Sequence, residues 1–159
     1  MAAFETLVRR YERFAFNLAL RVLGDAHEAE DLAQEVFLQL HRHLALIESD
    51  AHLLFWLRKV TTNMAIDRLR HDQKHRIFPL DDEPGIADEP PQSDPLLQRR
   101  LRALVAQLPA AARAVVVLRF QEDMDPTEIA QVLEMSINTV KSHLRRSMTA
   151  LREGFPEVA

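Results

Sequence analysis

Between Ile137 and Arg152 the chain carries four basic side chains, Lys141, Arg145, Arg146 and Arg152, and no acid. On a helix turning about 100° per residue, Asn138, Ser142, Arg145, Arg146 and Thr149 fall on one side. Ile137, Val140, Leu144, Met148 and Leu151 fall in a stripe on the other. Amides, hydroxyls and guanidinium groups sharing one face are the groups that bond base edges and phosphates in a duplex major groove. A solvated amphipathic helix is the commoner fate of such a pattern. Here a short helical stretch and a three-residue turn precede it, and the charge is one-sided, which favours DNA. A second positive region lies in residues 56–76, with six bases against two acids. On a helix, Lys59, Asn63 and Arg70 share one strip of it, and an amide among cations suits single-stranded or duplex nucleic acid. Trp56, the only tryptophan, stands among leucines and reads more readily as core than as a stacking platform.

Other chemistry is sparse. Residues 25–35 hold five acids and no base, with Glu28, Asp31 and Glu35 on one helical face beside an exposed Leu38. Acids near a helix N-terminus are favoured by the dipole, so on charge alone a solvated face accounts for them better than a docking surface for a basic protein. His71 and His75 are four apart and could share a face, but no carboxylate or third histidine completes a metal set. There is no nucleophile constellation, glycine-rich phosphate loop or paired-carboxylate pattern. The expectation is a protein without catalytic activity, metal or cofactor.

The elements that must position these residues are helical. The chain has 159 residues, 47% hydrophobic and 28% charged, with three glycines and few strand-like alternations, which predicts one or two small all-α domains. No cysteine, long apolar run or signal-peptide pattern is present, so a cytoplasmic protein with no membrane insertion is expected. The net charge of −4 is unevenly spread. Residues 1–77 carry eleven bases and eleven acids, residues 78–95 six acids and no base, and residues 96–159 nine bases and seven acids. The acidic middle segment also holds five of the eight prolines and reads as an extended linker between two domains, 1–77 and 96–159.

In the first domain Phe4, Leu7, Val8, Tyr11, Leu18 and Val22 predict a helix that Gly24 can end. Asp25 followed by Glu28 has capping-box spacing, and Ala29, Leu32, Ala33, Val36 and Leu40 would face the core. Residues 47–52 read as a loop. The helix after it carries Leu57, Val60 and Met64 on one side and Phe55, Ile66 and Leu69 on the other, so it must be wedged between neighbours. In the second domain Asp94-Pro95 opens a helix with Leu97, Leu101, Leu104 and Leu108 inward, and Pro109 begins the next. Asp125 then caps a helix with Pro126 at its first position and Ile129, Ala130 and Leu133 inward, and Ser136 caps the basic helix.

Three blocks in order, GDAHEAEDLAQEVFLQLHRHL, FWLRKVTTNMAIDRLRH and LPAAARAVVVLRF with TEIAQVLEMSINTVKSHLRRSMTALRE, resemble a bacterial extracytoplasmic-function (ECF) sigma factor of the sigma-70 family. The resemblance covers nearly the whole chain and implies sigma-two-like and sigma-four-like helical domains, the latter containing the helix-turn-helix. It implies a subunit that binds core RNA polymerase and directs it to promoter DNA. Glu28, Asp31, Gln34, Glu35 and Leu38 would dock on the beta-prime clamp helices, and the beta flap is a second implied contact on core polymerase. Arg58, Lys59, Thr62, Asn63, Asp67 and Arg70 would meet the minus-ten element. Asn138, Thr139, Lys141, Ser142, His143, Arg145 and Arg146 would read the minus-thirty-five element. An anti-sigma factor is a further implied partner. An autonomous helix-turn-helix regulator is the rival reading. It would have no need of the Asp31 and Glu35 face.

Three features depart from the family pattern. Glu134 stands where a glycine usually makes the turn, so the backbone is strained or the turn differs. His143 stands where arginine is frequent. Lys141 sits at the edge of the outward face, which suits phosphate better than a base.

Overall fold

The computed structural model describes residues 2–73 and 94–154, which are helical with short connections. The chain divides into two compact units at residues 75 and 76. The acidic linker expected at 78–95 lies outside the described residues except for Asp94 and Pro95. Those two are the cap and first residue of a helix. His75 also lies outside.

The first unit packs α1 (Ala2–Leu23), α2 (Ala26–His43) and α3 (Asp50–Gln73) against one another. Gly24 ends α1 at φ 76°, donating its amide to the Leu20 carbonyl at 2.7 Å, in a conformation that a Cβ would oppose. The Asp25 carboxylate accepts from the amides of His27 and Glu28 at 2.9 and 3.1 Å and starts α2. Its core stripe is the expected one, with Phe37 added. Ala15, Leu18, Ala19 and Val22 of α1 are fully buried against it, as are Leu53, Leu57 and Ala65 of α3, or nearly so.

The entry to α3 differs from expectation. Leu44–Leu46 form a 3-10 turn, and Asp50, Ala51 and His52 are already helical. The Ser49 hydroxyl accepts from the His52 amide at 3.0 Å, a serine cap with an acid behind it that the loop assignment overlooked. Phe55 is exposed rather than inward, while Thr61 and Thr62 are fully buried. The wedged helix thus buries two β-branched threonines among its apolar contacts.

The second unit comprises α4 (Pro95–Ala106), α5 (Ala110–Phe120), α6 (Pro126–Leu133) and α7 (Ile137–Glu153). Helix α5 is its axis, buried from Ala112 to Leu118 and packed on the other three. Arg113 is buried with it. Its Nη2 donates to the Ala106 carbonyl at the end of α4, where a helix favours a cation, and burial holds its pKa below the ordinary guanidinium value. Leu108 packs with Ala112, Val116 and Val105, but Leu97 and Leu101 are exposed, contrary to expectation. Helix α4 is tied to the end of α7, where Leu104 meets Gly154 and the Arg100 Nη2 donates to the Gly154 carbonyl at 2.7 Å.

Candidate DNA-reading and docking surfaces

The helix-turn-helix is built from its caps. The Asp125 carboxylate accepts from the Glu128 amide at 2.8 Å to start α6, and this bond holds the acid below the usual carboxylate range. Glu134 ends α6 at φ 54° and ψ 47°, so the glycine position keeps its left-handed geometry with a glutamate in it. The chain reverses over Glu134, Met135 and Ser136, and the Ser136 hydroxyl accepts from the Thr139 amide at 3.1 Å to start α7. Val140, Ser147 and Leu151 seat α7 on the core. Ile137, placed in the apolar stripe by periodicity, is instead exposed as the first residue of α7.

Asn138, Thr139, Lys141, Arg145 and Arg146 are exposed on α7, and Ser142 and His143 are half-buried. Asn138, Thr139, Ser142, His143 and Arg146 line a shallow depression of about 360 Å³, so five of the expected residues share one concavity. Lys141 and Arg145 lie outside that lining. Partial burial, then repulsion by Arg146, lowers the His143 pKa below the ordinary imidazole value. The neutral ring offers one donor and one acceptor, a different code from the arginine more usual there. The Thr139 hydroxyl already bonds the Ser136 hydroxyl at 2.8 Å, and that of Thr149 donates to the Arg145 carbonyl at 3.0 Å.

On α3 the expected strip is only partly presented. Arg70 and Asp67 are exposed, and Lys59 and Asn63 are half-buried, with the Asn63 Nδ2 donating to the Lys59 carbonyl at 2.7 Å. Arg58 lies over the Phe14 ring, 5.6 Å from its centroid. Thr62 must be removed from the set that can meet DNA in this conformation: it is fully buried between helices, and its hydroxyl reaches no solvent.

Asp31, Gln34, Glu35 and Leu38 are exposed on α2, Leu38 by 63%, and Glu28 is half-buried. The acids are not an isolated solvated face. Arg68 of α3 reaches across to Asp31 and Glu35, a contact the sequence reading did not single out. The signal was available. Consecutive helices joined by a short loop run antiparallel, which sets the acidic start of α2 beside the basic end of α3. Gln39 beside Met64 shows the same register nearer the loop. His27, Glu28, Asp31, Asp67, Arg68, His71 and Asp72 line a depression of about 350 Å³ there. Among the described residues no cluster of three or more metal-ligating side chains is formed.

Two helical units, the second a helix-turn-helix with a basic outer face, define the class: a DNA-binding protein without a strand among its described residues. The sigma-70 region 2 family model matches residues 7–75, and the sigma-70 region 4 model residues 98–151. The ECF RNA polymerase sigma factor SigW of Bacillus subtilis is 29% identical, the match covering 95% of this chain and 88% of SigW. The ECF RNA polymerase sigma factor SigL of Mycobacterium tuberculosis is 32% identical, with 95% and 88% covered. The sigma factor RpoE of Bartonella quintana, solved in complex with the anti-sigma factor NepR, superposes with a TM-score of 0.73 over 98% of each chain at 18% identity. The chain belongs to the ECF sigma factors of the sigma-70 family, and its function is that of an alternative sigma factor in transcription initiation. No helix among its described residues is long and apolar enough to cross a membrane.

Proposed function

We propose that residues 1–77 bind core RNA polymerase and open the minus-ten element, and that residues 96–159 read the minus-thirty-five element as duplex. The observation that carries this division is the α7 surface, where Asn138, Lys141, Arg145 and Arg146 are exposed on a helix held by a turn and free of acids from Ile137 to Arg152. Asn138, Ser142, His143, Arg145 and Arg146 face bases, and Lys141 faces phosphate. On α3, Lys59, Asn63 and Arg70 meet the opened strand, with Asp67 beside them. The Asn63 bond to the Lys59 carbonyl uses one of its two amide hydrogens.

Glu28, Asp31, Gln34, Glu35 and Leu38 form the contact to the beta-prime clamp helices, an acidic rim around one exposed leucine. Leu96, Leu97 and Leu101 of α4 offer an exposed apolar face to the beta flap. An anti-sigma factor is a further partner, supported by the shared fold with a sigma factor solved in such a complex. The protein acts in the cytoplasm, where its relatives' polymerase works, and contributes no catalytic group.

Reconstituted transcription tests the reading. The double reversal Asp31→Lys, Glu35→Lys is expected to abolish co-purification with core polymerase and promoter-specific transcripts while helicity is retained, because attraction to a basic partner becomes repulsion. Wild-type recovery of polymerase with that variant would remove the docking assignment.

A further inference from the structure

We propose that Arg68 is a positioning residue for polymerase docking: it touches neither polymerase nor DNA, and holds the Asp31 and Glu35 carboxylates in the arrangement a basic partner receives. The inference rests on the docking surface proposed above. The Arg68 Nη1 donates to the Asp31 Oδ2 at 3.1 Å and to the Glu28 carbonyl at 3.3 Å, and its Nη2 donates to the Glu35 Oε2 at 2.5 Å. One planar guanidinium therefore fixes two acids a helical turn apart and ties them to the α2 backbone, which a single ammonium has no fork to do.

Exposure gives the bridge its direction. Arg68 keeps only 25% of its side chain accessible, whereas Asp31 keeps 70% and Glu35 51%. The cation lies beneath and the carboxylates lie above it, one oxygen of each engaged. A partner reaches both acids with the bridge intact. Arg68 also shares its helix with Lys59, Asn63 and Arg70, yet its guanidinium is committed to α2 and withdrawn from that strip.

Removing Arg68 has two opposed effects. It uncovers a second negative charge, which raises long-range attraction to a basic partner. That effect acts on association and is screened beyond about 8 Å at physiological salt. It also leaves two like charges at i and i+4 with free rotamers, which repel and must be ordered during binding. Lost order appears in dissociation, the step that most interface changes alter. At physiological salt the second effect dominates.

The test uses the full chain and purified core polymerase, with association and dissociation followed at low and physiological salt. Arg68→Met and Arg68→Lys are both expected to dissociate about three- to tenfold faster, as loss of one or two ordered side chains implies. Arg68→Met is expected to associate as fast or faster at low salt. Placed in an Asp31→Asn, Glu35→Gln background, Arg68→Met adds nothing further, because no charged pair remains to be positioned. Unchanged or slower dissociation of Arg68→Met overturns the proposal, and so does an equal added loss in that background, which marks a general packing role. The double reversal separates this from the docking reading. If it leaves binding intact, the surface itself is wrong. If it abolishes binding while Arg68→Met and Arg68→Lys behave as the unaltered chain, only the positioning role falls.

Discussion

At the scale of single residues, two positions carry consequences that their type alone does not announce. Glu134 occupies left-handed backbone at φ 54°, ψ 47°, a conformation costing a residue with a Cβ about 1–2 kcal/mol. Glycine removes that strain but loses about 0.5–1 kcal/mol to its freer unfolded chain. Glu134→Gly is therefore expected to be neutral or to stabilise by up to about 1 kcal/mol, and Glu134→Val to destabilise by more than ~1 kcal/mol, measured by denaturant unfolding. His143 makes the second case. Its folded pKa lies below the ordinary value of 6.5, so the unfolded chain binds more protons as pH falls through that value. Its neutral form is accommodated without penalty above about pH 6.5, and stability is lost progressively as pH falls below it. His143→Gln is expected to flatten that part of the pH dependence of the melting temperature. An unchanged slope between pH 7 and 5 would assign the acid sensitivity to other groups.

At the scale of elements, the caps were legible before any coordinates: Asp25, Asp94, Asp125 and Ser136 each begin the helix their side chain was expected to begin. Amphipathic helices with one buried face, α2 above all, were legible for the same reason, since spacing and burial agree. Helix α3 was not. It packs on both α1 and α2, so periodicity cannot say which polar residues are covered, and Thr62, set among the minus-ten contacts by the resemblance, is core. Leu97 and Leu101 failed in the opposite sense, because an apolar stripe predicts burial whether or not a partner within the chain exists. The Arg68 bridge required pairing of two helices, which no single-helix pattern contains. Burial of hydroxyls gives the prediction belonging to this scale. Thr62 and Ser147 place their oxygens out of solvent without a hydrogen-bond partner. Thr62→Val and Ser147→Ala should each be neutral or stabilising by up to about 1 kcal/mol, since each removes an unsatisfied group with little change of volume. Thr62→Val should also leave promoter opening intact, measured by reactivity of unpaired thymines. Loss of opening with unchanged stability would return Thr62 to the DNA-reading set.

For the whole molecule, the question is how surfaces this small select a promoter. The net charge is −4, and the α7 face offers three cations, Lys141, Arg145 and Arg146. Neutralising a handful of phosphates gives binding that falls steeply with salt, so the free chain is expected to bind promoter duplex poorly at physiological ionic strength. If both units read DNA as proposed, polymerase changes this by carrying them on one particle, which makes the second contact effectively intramolecular. If α7 reads the minus-thirty-five element as proposed, its side chains separate by role. Arg145→Ala and Arg146→Ala should each cost about 1–3 kcal/mol and relax preference at single minus-thirty-five positions. Lys141→Ala should weaken all sequences alike and lower the salt slope by about one. Holoenzyme binding to single-base promoter variants at several salt concentrations measures both signatures in one series. A Lys141→Ala variant that loses preference at one base pair would move that residue from phosphate to base. Uniform weakening by Arg145→Ala and Arg146→Ala would instead leave sequence choice to Asn138, Ser142 and the neutral ring of His143.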